Sequence, residues 1–367
     1  MSRRILGSWI RLLIPLAVVA VIKILASLFI YRRLSILGDF YTPWMQTWSG
    51  VGPSQPWLYL YSAQDTGFYV AIAREWYKYP MYVFFPAYPT LIMFIGKLIG
   101  DLWLSAFIIS FALGLASIPL LQYVAENYMD KVEAAATTIL FATFPYIFLF
   151  TTISYTESLY LFSTLAAWLL HLKGRDTTSA AAAALSTLTK TYGIAIIIPV
   201  ALNLIAKRMY RRLLNLIIPA AALLGWLIYL KTATGEFFAF STQQSYWMNL
   251  GVDFGYYEHY IKPFLRFNLW SLPQFHYLLP ALIIFFAYLV FCTFKIDSKL
   301  GVYSLVLFLG LLYFSNFISM PRFFSFIFPV WLTAKIKNIL ALTVAVAFFI
   351  LNSLLLWYQF LMAVWVS

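Results

Sequence analysis

"SAAAAALSTLTKTYGIAIIIPVALNLIAKRMYRR", residues 179–212, is apolar along its length and basic at both flanks. Lys173 and Arg175 precede it, and Lys207, Arg208, Arg211 and Arg212 close it. Lysine and arginine collect in the cytoplasmic loops of membrane proteins, so both flanks belong on one side. A single spanning helix cannot start and finish on the same side. The segment therefore reads as a hairpin of two short helices, residues 179–206, turning at "KTYG", residues 190–193.

The rest of the chain agrees with a membrane setting. Its 367 residues are 63% hydrophobic and 10% charged, where soluble domains average about 25% charged. The apolar runs are long and uninterrupted, as membrane helices require, and lack the alternation of barrel strands. Aromatic residues make up 20%, and much of the Tyr and Trp falls near span ends, where an interfacial belt would sit. The net charge of +12 lies in short loops, where it orients the chain and implies no nucleic acid. Cys292 is the single cysteine and has no intrachain partner. The basic N-terminus and long apolar run without a small-residue cleavage site read as an uncleaved first helix.

Spans are expected near 9–31, 102–124, 133–151, 157–172, 213–230, 275–294, 300–318, 323–337 and 339–358. With the hairpin this makes about eleven transmembrane helices in one all-α integral membrane domain, residues 1–367. Starting from a cytoplasmic N-terminus, alternation puts a long first loop, 32–101, outside, with juxtamembrane helices in it. The piece at 84–100, with two prolines, lies along or dips into that face. The second outer loop is 231–273. The hairpin tip, "SYTES" and "SNFISMPRFF" also fall outside, on an extracellular or lumenal face.

That face holds the candidate chemistry. "SAQDTGFYVAIAREWYKYP", residues 62–80, reads as an interfacial amphipathic helix with Phe68, Tyr69, Ile72 and Trp76 on one side and Arg74 and Glu75 elsewhere. Asp65 heads it, either as a helix cap or as a reacting group. Ser154-x-x-Glu157 fits a capping box. Lys190, at the tip of a short hairpin, lies within the bilayer, where a cation is expensive and signals function; it pairs with Glu157 or binds an anionic headgroup. Arg322, before "FFSFIFPVWL", is a similar cation. His171, His259 and His276 are scattered, and HExxH, CxxC, GxGxxG and Walker patterns are absent, so metal and nucleotide sites have no motif support. A carboxylate, flanking cations and an oily approach suit transfer from a lipid-phosphate donor. Two other readings are a transporter or lipid flippase, with Lys190 and Glu157 as a substrate or proton site, and a non-catalytic subunit.

"QDTGFYVAIAREWYKYPMYVFFPAYPTLI" resembles the Asp-x-x-x-(aromatic)-x-x-Ile-Ala and Phe-Phe-Pro-x-(aromatic)-Pro segments of the PIG-V-like mannosyltransferases, polytopic enzymes of the C-type glycosyltransferase fold. "SYTESLYLFSTLAAWLLHLKGR", "ALSTLTKTYG" and "SMPRFFSFIFPVWL" resemble later segments of that family, in the same order. The resemblance implies a dolichyl- or polyprenyl-phosphate sugar donor, often mannose, and inversion by direct attack on a glycan or glycolipid acceptor. No cofactor is implied beyond that lipid-linked substrate, and the sequence offers no ligand set for a divalent cation. Asp65 takes the role of base. Lys190 and Arg322 hold the donor phosphate, with Arg74 a further cation on the same helix. Glu157 contacts the acceptor or supports these groups, and Tyr69, the aromatic of the first motif, joins the substrate-binding residues. Gln64 stands where eukaryotic members carry Trp, and "KTYG" replaces an Arg-x-x-Gly turn while keeping a cation at Lys190.

Overall fold

The computed structural model describes residues 2–37, 52–53, 55–243, 279–314 and 319–361. Residues 38–51 of the first outer loop, 244–273 of the second and 315–318 at the end of a predicted span lie outside the described residues. Every regular element among the described residues is helical. Among the described residues four stretches are long and apolar enough to cross a membrane: Leu12–Leu34, Leu102–Ala125, Tyr210–Thr234 and Ile339–Leu361.

In chain order the helices are α1 (Ser2–Leu37), α2 (Thr66–Glu75), α3 (Ala87–Ile99), α4 (Leu102–Ala125), α5 (Lys131–Thr143), α6 (Pro145–Phe150), α7 (Glu157–Leu172), α8 (Asp176–Thr187) and α9 (Ile197–Ala206). There follow α10 (Ile217–Thr234), α11 (Ala239–Thr242), α12 (Leu279–Thr293), α13 (Ser298–Phe314), α14 (Met320–Ser325) and α15 (Ile339–Leu361). The helix α4 is the spine of the packing: α1, α3, α5 and α7 all lie against it, and α7 in turn packs on α8. Gly114 in α4 permits one of these approaches. A Cβ there would lie 2.3 Å from the Thr151 carbonyl oxygen, so the turn before α7 sits directly on the α4 backbone.

Two predicted spans are built differently. The run at 133–151 is α5 and α6, broken at Phe144, because Pro145 has no N–H to continue the helix and opens the next one instead. The run at 323–337 is α14 followed by a 3-10 turn, Phe328–Thr333, each started by a proline. These pieces are about 9 and about 12 Å long and deeply buried, so this apolar stretch fills the interior instead of crossing it as one helix.

The hairpin region runs as α8, a 3-10 turn Thr191–Ile196, and α9. Its two ends meet. Arg212, beyond α9, pairs with Asp176 at the start of α8 at 2.8 Å, and Asn203 on α9 lies 2.9 Å from His171 at the end of α7. The arms cross closely at Gly193, where a Cβ would sit 2.1 Å from the Ser186 carbonyl oxygen. Glycine is there for the space.

The helix α2 departs from the amphipathic expectation. All residues from Thr66 to Ala73 are buried. One side, with Tyr69, Val70 and Ala73, joins the main core; the other, with Phe68, Ala71 and Ile72, packs on Trp226 and Leu230 of α10. The helix is apolar on both sides and is wedged between two packed layers. Its polar residues Arg74 and Glu75 are confined to the exposed C-terminal end.

Candidate active site at the N-terminal end of α7

Among the described residues four aspartates stand directly before a helix, and three of them cap it. Asp297 Oδ1 accepts from the Lys299 and Leu300 N–H groups at 2.8 and 3.4 Å. Asp101 Oδ1 accepts from the Trp103 and Leu104 N–H groups at 2.8 and 3.0 Å. Asp130 Oδ1 accepts from Val132 and Glu133 at 2.9 Å each. Asp101 and Asp130 have the extended backbone that an N-cap needs. Asp65 instead has φ −62° and ψ −17°, and its side chain makes no capping bond. Its conformation is set from outside the helix. The Asp65 N–H donates to the Tyr155 hydroxyl at 3.1 Å, and the preceding Gln64 is held in the left-handed region at φ 51°, a conformation that costs a non-glycine residue about 1 kcal/mol or more. The carboxylate is left available.

Glu157 behaves similarly. The capping box does not form: Ser154 Oγ is buried and has no hydrogen-bond partner among the described residues. The Glu157 carboxylate, fully buried, instead draws in two cations. Lys190 Nζ donates to Oε1 at 3.0 Å, and Arg322 Nε lies 3.4 Å from the same oxygen. Aromatic rings wall this trio. The Arg322 guanidinium lies 4.7 Å from the Phe150 ring centroid and 4.6 Å from Phe323, and Lys190 Nζ lies 5.2 Å from Phe323. Such faces favour cations. They also keep water out, which strengthens each charge's effect on the next.

Asp65 belongs to the same cluster. Burial pushes its pKa up to about 6, Arg322 opposes this, Glu157 adds to it and Lys190 opposes it. Tyr69 sits beside it, buried, with its ring edge-on to Tyr155, Tyr88 and Phe84 at 5.9, 5.2 and 5.0 Å. Tyr155 completes the link, since the Arg322 guanidinium lies 5.9 Å from its ring. The turn before α7 thus touches the aspartate on one side and the cations on the other.

Several donors in the cluster have capacity to spare, Arg322 Nε making only its ion pair with Glu157 Oε1. Arg322 Nε and the Tyr192 hydroxyl are buried without a hydrogen-bond partner among the described residues. Lys190 gives one of its three protons to Glu157, and the Tyr192 ring lies 5.7 Å from both Lys190 Nζ and the Phe323 centroid. More donors than Glu157 can satisfy suit a ligand that only accepts, such as a phosphate oxygen.

Asp65, Glu157, Lys190, Arg322 and Tyr69 are therefore neighbours. Arg74 is not among them: it is exposed at the far end of α2, nine residues and about 13 Å along the axis from Asp65. Tyr155 and Tyr192 also border this cluster, and as uncharged residues of "SYTES" and "KTYG" they carry no mark in the sequence. Among the described residues no three His, Cys, Asp or Glu side chains gather as metal ligands.

No protein-family model matches the sequence. No curated protein matches it either. Among solved structures, the chain is similar to ArnT from Cupriavidus metallidurans bound to undecaprenyl phosphate, with a TM-score of 0.48 and 16% identity over 89% of this chain and 59% of that one. ArnT in the apo state gives a TM-score of 0.44 and 16% identity over 73% and 53%. The Archaeoglobus fulgidus oligosaccharyltransferase complex with zinc and sulfate gives 0.40 and 13% over 94% and 53%. The chain spans a little over half the length of each of these structures.

Proposed function

We propose that this chain is a membrane glycosyltransferase of the C-type fold. It moves a hexose, mannose on the sequence resemblance, from a polyprenyl- or dolichyl-phosphate donor to a hydroxyl of a lipid-linked or protein-linked glycan. The transfer takes place on the outer or lumenal face, with inversion. The observation that carries this reading is Asp65, a carboxylate at a buried helix start that does not cap its helix and feels the charges of two cations gathered on Glu157.

In the proposed step the acceptor hydroxyl oxygen attacks the anomeric carbon and gives its proton to the Asp65 carboxylate. The bond from that carbon to the phosphate oxygen breaks, and the lipid phosphate leaves. A pKa near 6 keeps Asp65 ionised at neutral pH yet basic enough to take the proton. Lys190 and Arg322 over Glu157 leave one net positive charge, which matches the single negative charge of a sugar phosphodiester. During transfer the phosphate gains a negative charge as Asp65 loses one, so the charge moves toward the cations. Glu157 holds the two cations together when the site is empty. Arg74 has no contact with the phosphate in this scheme, and no cofactor is invoked.

The test is a donor assay on purified protein in lipid. Short-chain polyprenyl-phosphate mannose and glucose are supplied separately, with native lipid extract as acceptor. Wild type is expected to consume one donor, and Asp65→Asn to lower turnover by about 10²–10⁴-fold while remaining folded. Full turnover by Asp65→Asn removes the aspartate from its role. Absence of turnover with any sugar donor, together with substrate flux in proteoliposomes, replaces the transferase with a transporter.

A further inference from the structure

We infer that Lys23, in the middle of α1, is a positioning residue for the reaction proposed above: it grips the end of α6 and so holds the 151–157 turn that sets Asp65 against Glu157 and its cations. The kinetic part of this inference rests on the transferase reading; the structural part does not.

Lys23 is 1% exposed and lies inside the stretch Leu12–Leu34 that is fit to cross a membrane. A lysine at such a depth costs about 2.5–3.5 kcal/mol on insertion scales, so its retention needs a reason. Among the described residues no carboxylate pairs with it. Its ammonium donates to the Phe148 carbonyl at 3.1 Å, to Thr151 Oγ1 at 2.8 Å and to Thr152 Oγ1 at 2.7 Å. An ammonium has three protons, and all three are used. Lys23 therefore has nothing left to offer a ligand, and its importance lies in what it holds.

What it holds is a helix end. The last carbonyls of a helix lack intrahelical partners and carry the negative end of its dipole. Cations near the C-terminus satisfy both needs. Here the cation comes from a different helix, so the contact also fixes where α6 stops relative to α1. The next residues are the hub of the site. Ser154 N–H donates to the Tyr61 carbonyl at 2.8 Å, and the Ser154 carbonyl accepts from Thr66 Oγ1 at 3.2 Å. The Tyr155 carbonyl accepts from Ser110 Oγ at 2.8 Å, while its hydroxyl accepts the Asp65 N–H. Glu157 follows two residues later, and Phe150, the last residue of α6, lies under Arg322. A shift of this turn would move the base and the phosphate-binding cations relative to each other. Misplacement by about 1 Å is enough to cost about 10²-fold in rate.

The experiment uses the full chain in lipid, with Lys23→Met and Lys23→Gln. Lys23→Met keeps the bulk and removes all three bonds; Lys23→Gln keeps an amide donor. Hydrogen exchange by mass spectrometry on peptides covering 150–157 is read beside kcat and donor KM for the polyprenyl-phosphate sugar. Lys23→Met is expected to speed exchange in 150–157 but not in α15, to lower kcat by about 10–100-fold and to leave KM near wild type, with Lys23→Gln between the two. Wild-type exchange and kcat in folded Lys23→Met overturns the inference. So does faster exchange with wild-type kcat, which would make Lys23 a tie of no kinetic consequence. If Lys23→Met does not fold, Thr152→Val removes one acceptor and must change both readouts in the same direction or the inference falls. If the wild-type chain turns over no donor, the transferase reading has failed by itself, and the exchange readout still decides whether Lys23 holds the turn.

Discussion

The helix α7 has a polar cluster at each end, about 21 Å apart along its axis, and the two are built on different terms. At the C-terminal end His171 Nδ1 lies 2.8 Å from Asp176 Oδ1, Asn203 Nδ2 lies 2.9 Å from His171 Nε2, and Arg212 donates to Asp176 Oδ2 at 2.8 Å. With the Asn203 amide donating to Nε2, the ring proton sits on Nδ1 and goes to Asp176. Both histidine nitrogens and both aspartate oxygens have partners. At the N-terminal end Glu157 is shared by two cations, Arg322 Nε and the Tyr192 hydroxyl lack hydrogen bonds, and Asp65 does not cap. A closed network has done its work once the chain is folded. An open one stores capacity for something that arrives later.

The comparison breaks if the two ends respond alike to substitution. The largest contrast is expected from Arg322→Gln. It removes one of the two proposed phosphate cations and should lower kcat/KM for the donor by about 10–100-fold. The same variant sharpens the pH argument. Asp65 must be ionised to act, so activity should fall as pH drops through about 6. Arg322 holds that pKa down, so its loss should move the acid limb to higher pH. A limb that stays in place, measured on kcat/KM, separates Asp65 from the observed titration.

At the other end Asp176→Ala should act on stability alone. It leaves the His171 Nδ1–H and an arginine proton without their acceptor, for a loss of about 1–3 kcal/mol, read as a lower unfolding temperature in detergent. Turnover per folded molecule should be unchanged; a lost kcat would make this cluster part of the reaction as well.

The smallest effect compares two aspartates. Asp101→Ala removes a working cap and should cost about 1 kcal/mol. Asp65→Ala removes none and should leave thermal stability unchanged or slightly higher, since a buried carboxylate with a raised pKa contributes nothing to the fold when charged. Equal destabilisation by the two would return Asp65 to a structural role.

Much of the architecture is legible in local patterns. The basic flanks of residues 173–212 mark a stretch whose two ends come together in the structure, through the ion pair between Arg212 and Asp176. Helix interruptions are harder to see. The runs at 133–151 and 323–337 are apolar enough for spans, yet Pro145, Pro321 and Pro329 start new short helices within or beside them, and hydropathy averages do not register a missing N–H. The burial of α2 on both sides was also out of reach. Its partner on the second side, Trp226, lies some 150 residues further along the chain, and no window reading joins such distant segments.

The charged residues of the candidate site stand out in the sequence for one physical reason: in so oily a chain each ionised group is expensive to bury, so Asp65, Glu157, Lys190 and Arg322 draw attention wherever they fall. Lys23 carried the same signal inside the first apolar run. Composition and spacing therefore reveal which groups need an explanation, and that they sit in a helical membrane protein. They do not reveal which explanation holds. Whether an aspartate at a helix start caps or stays available depends on φ, ψ and one hydroxyl from a distant turn, as Asp65 and Tyr155 demonstrate beside Asp101. Such contacts cross long sequence separations and turn on tenths of an ångström in hydrogen-bond length, so they arise when the helices pack.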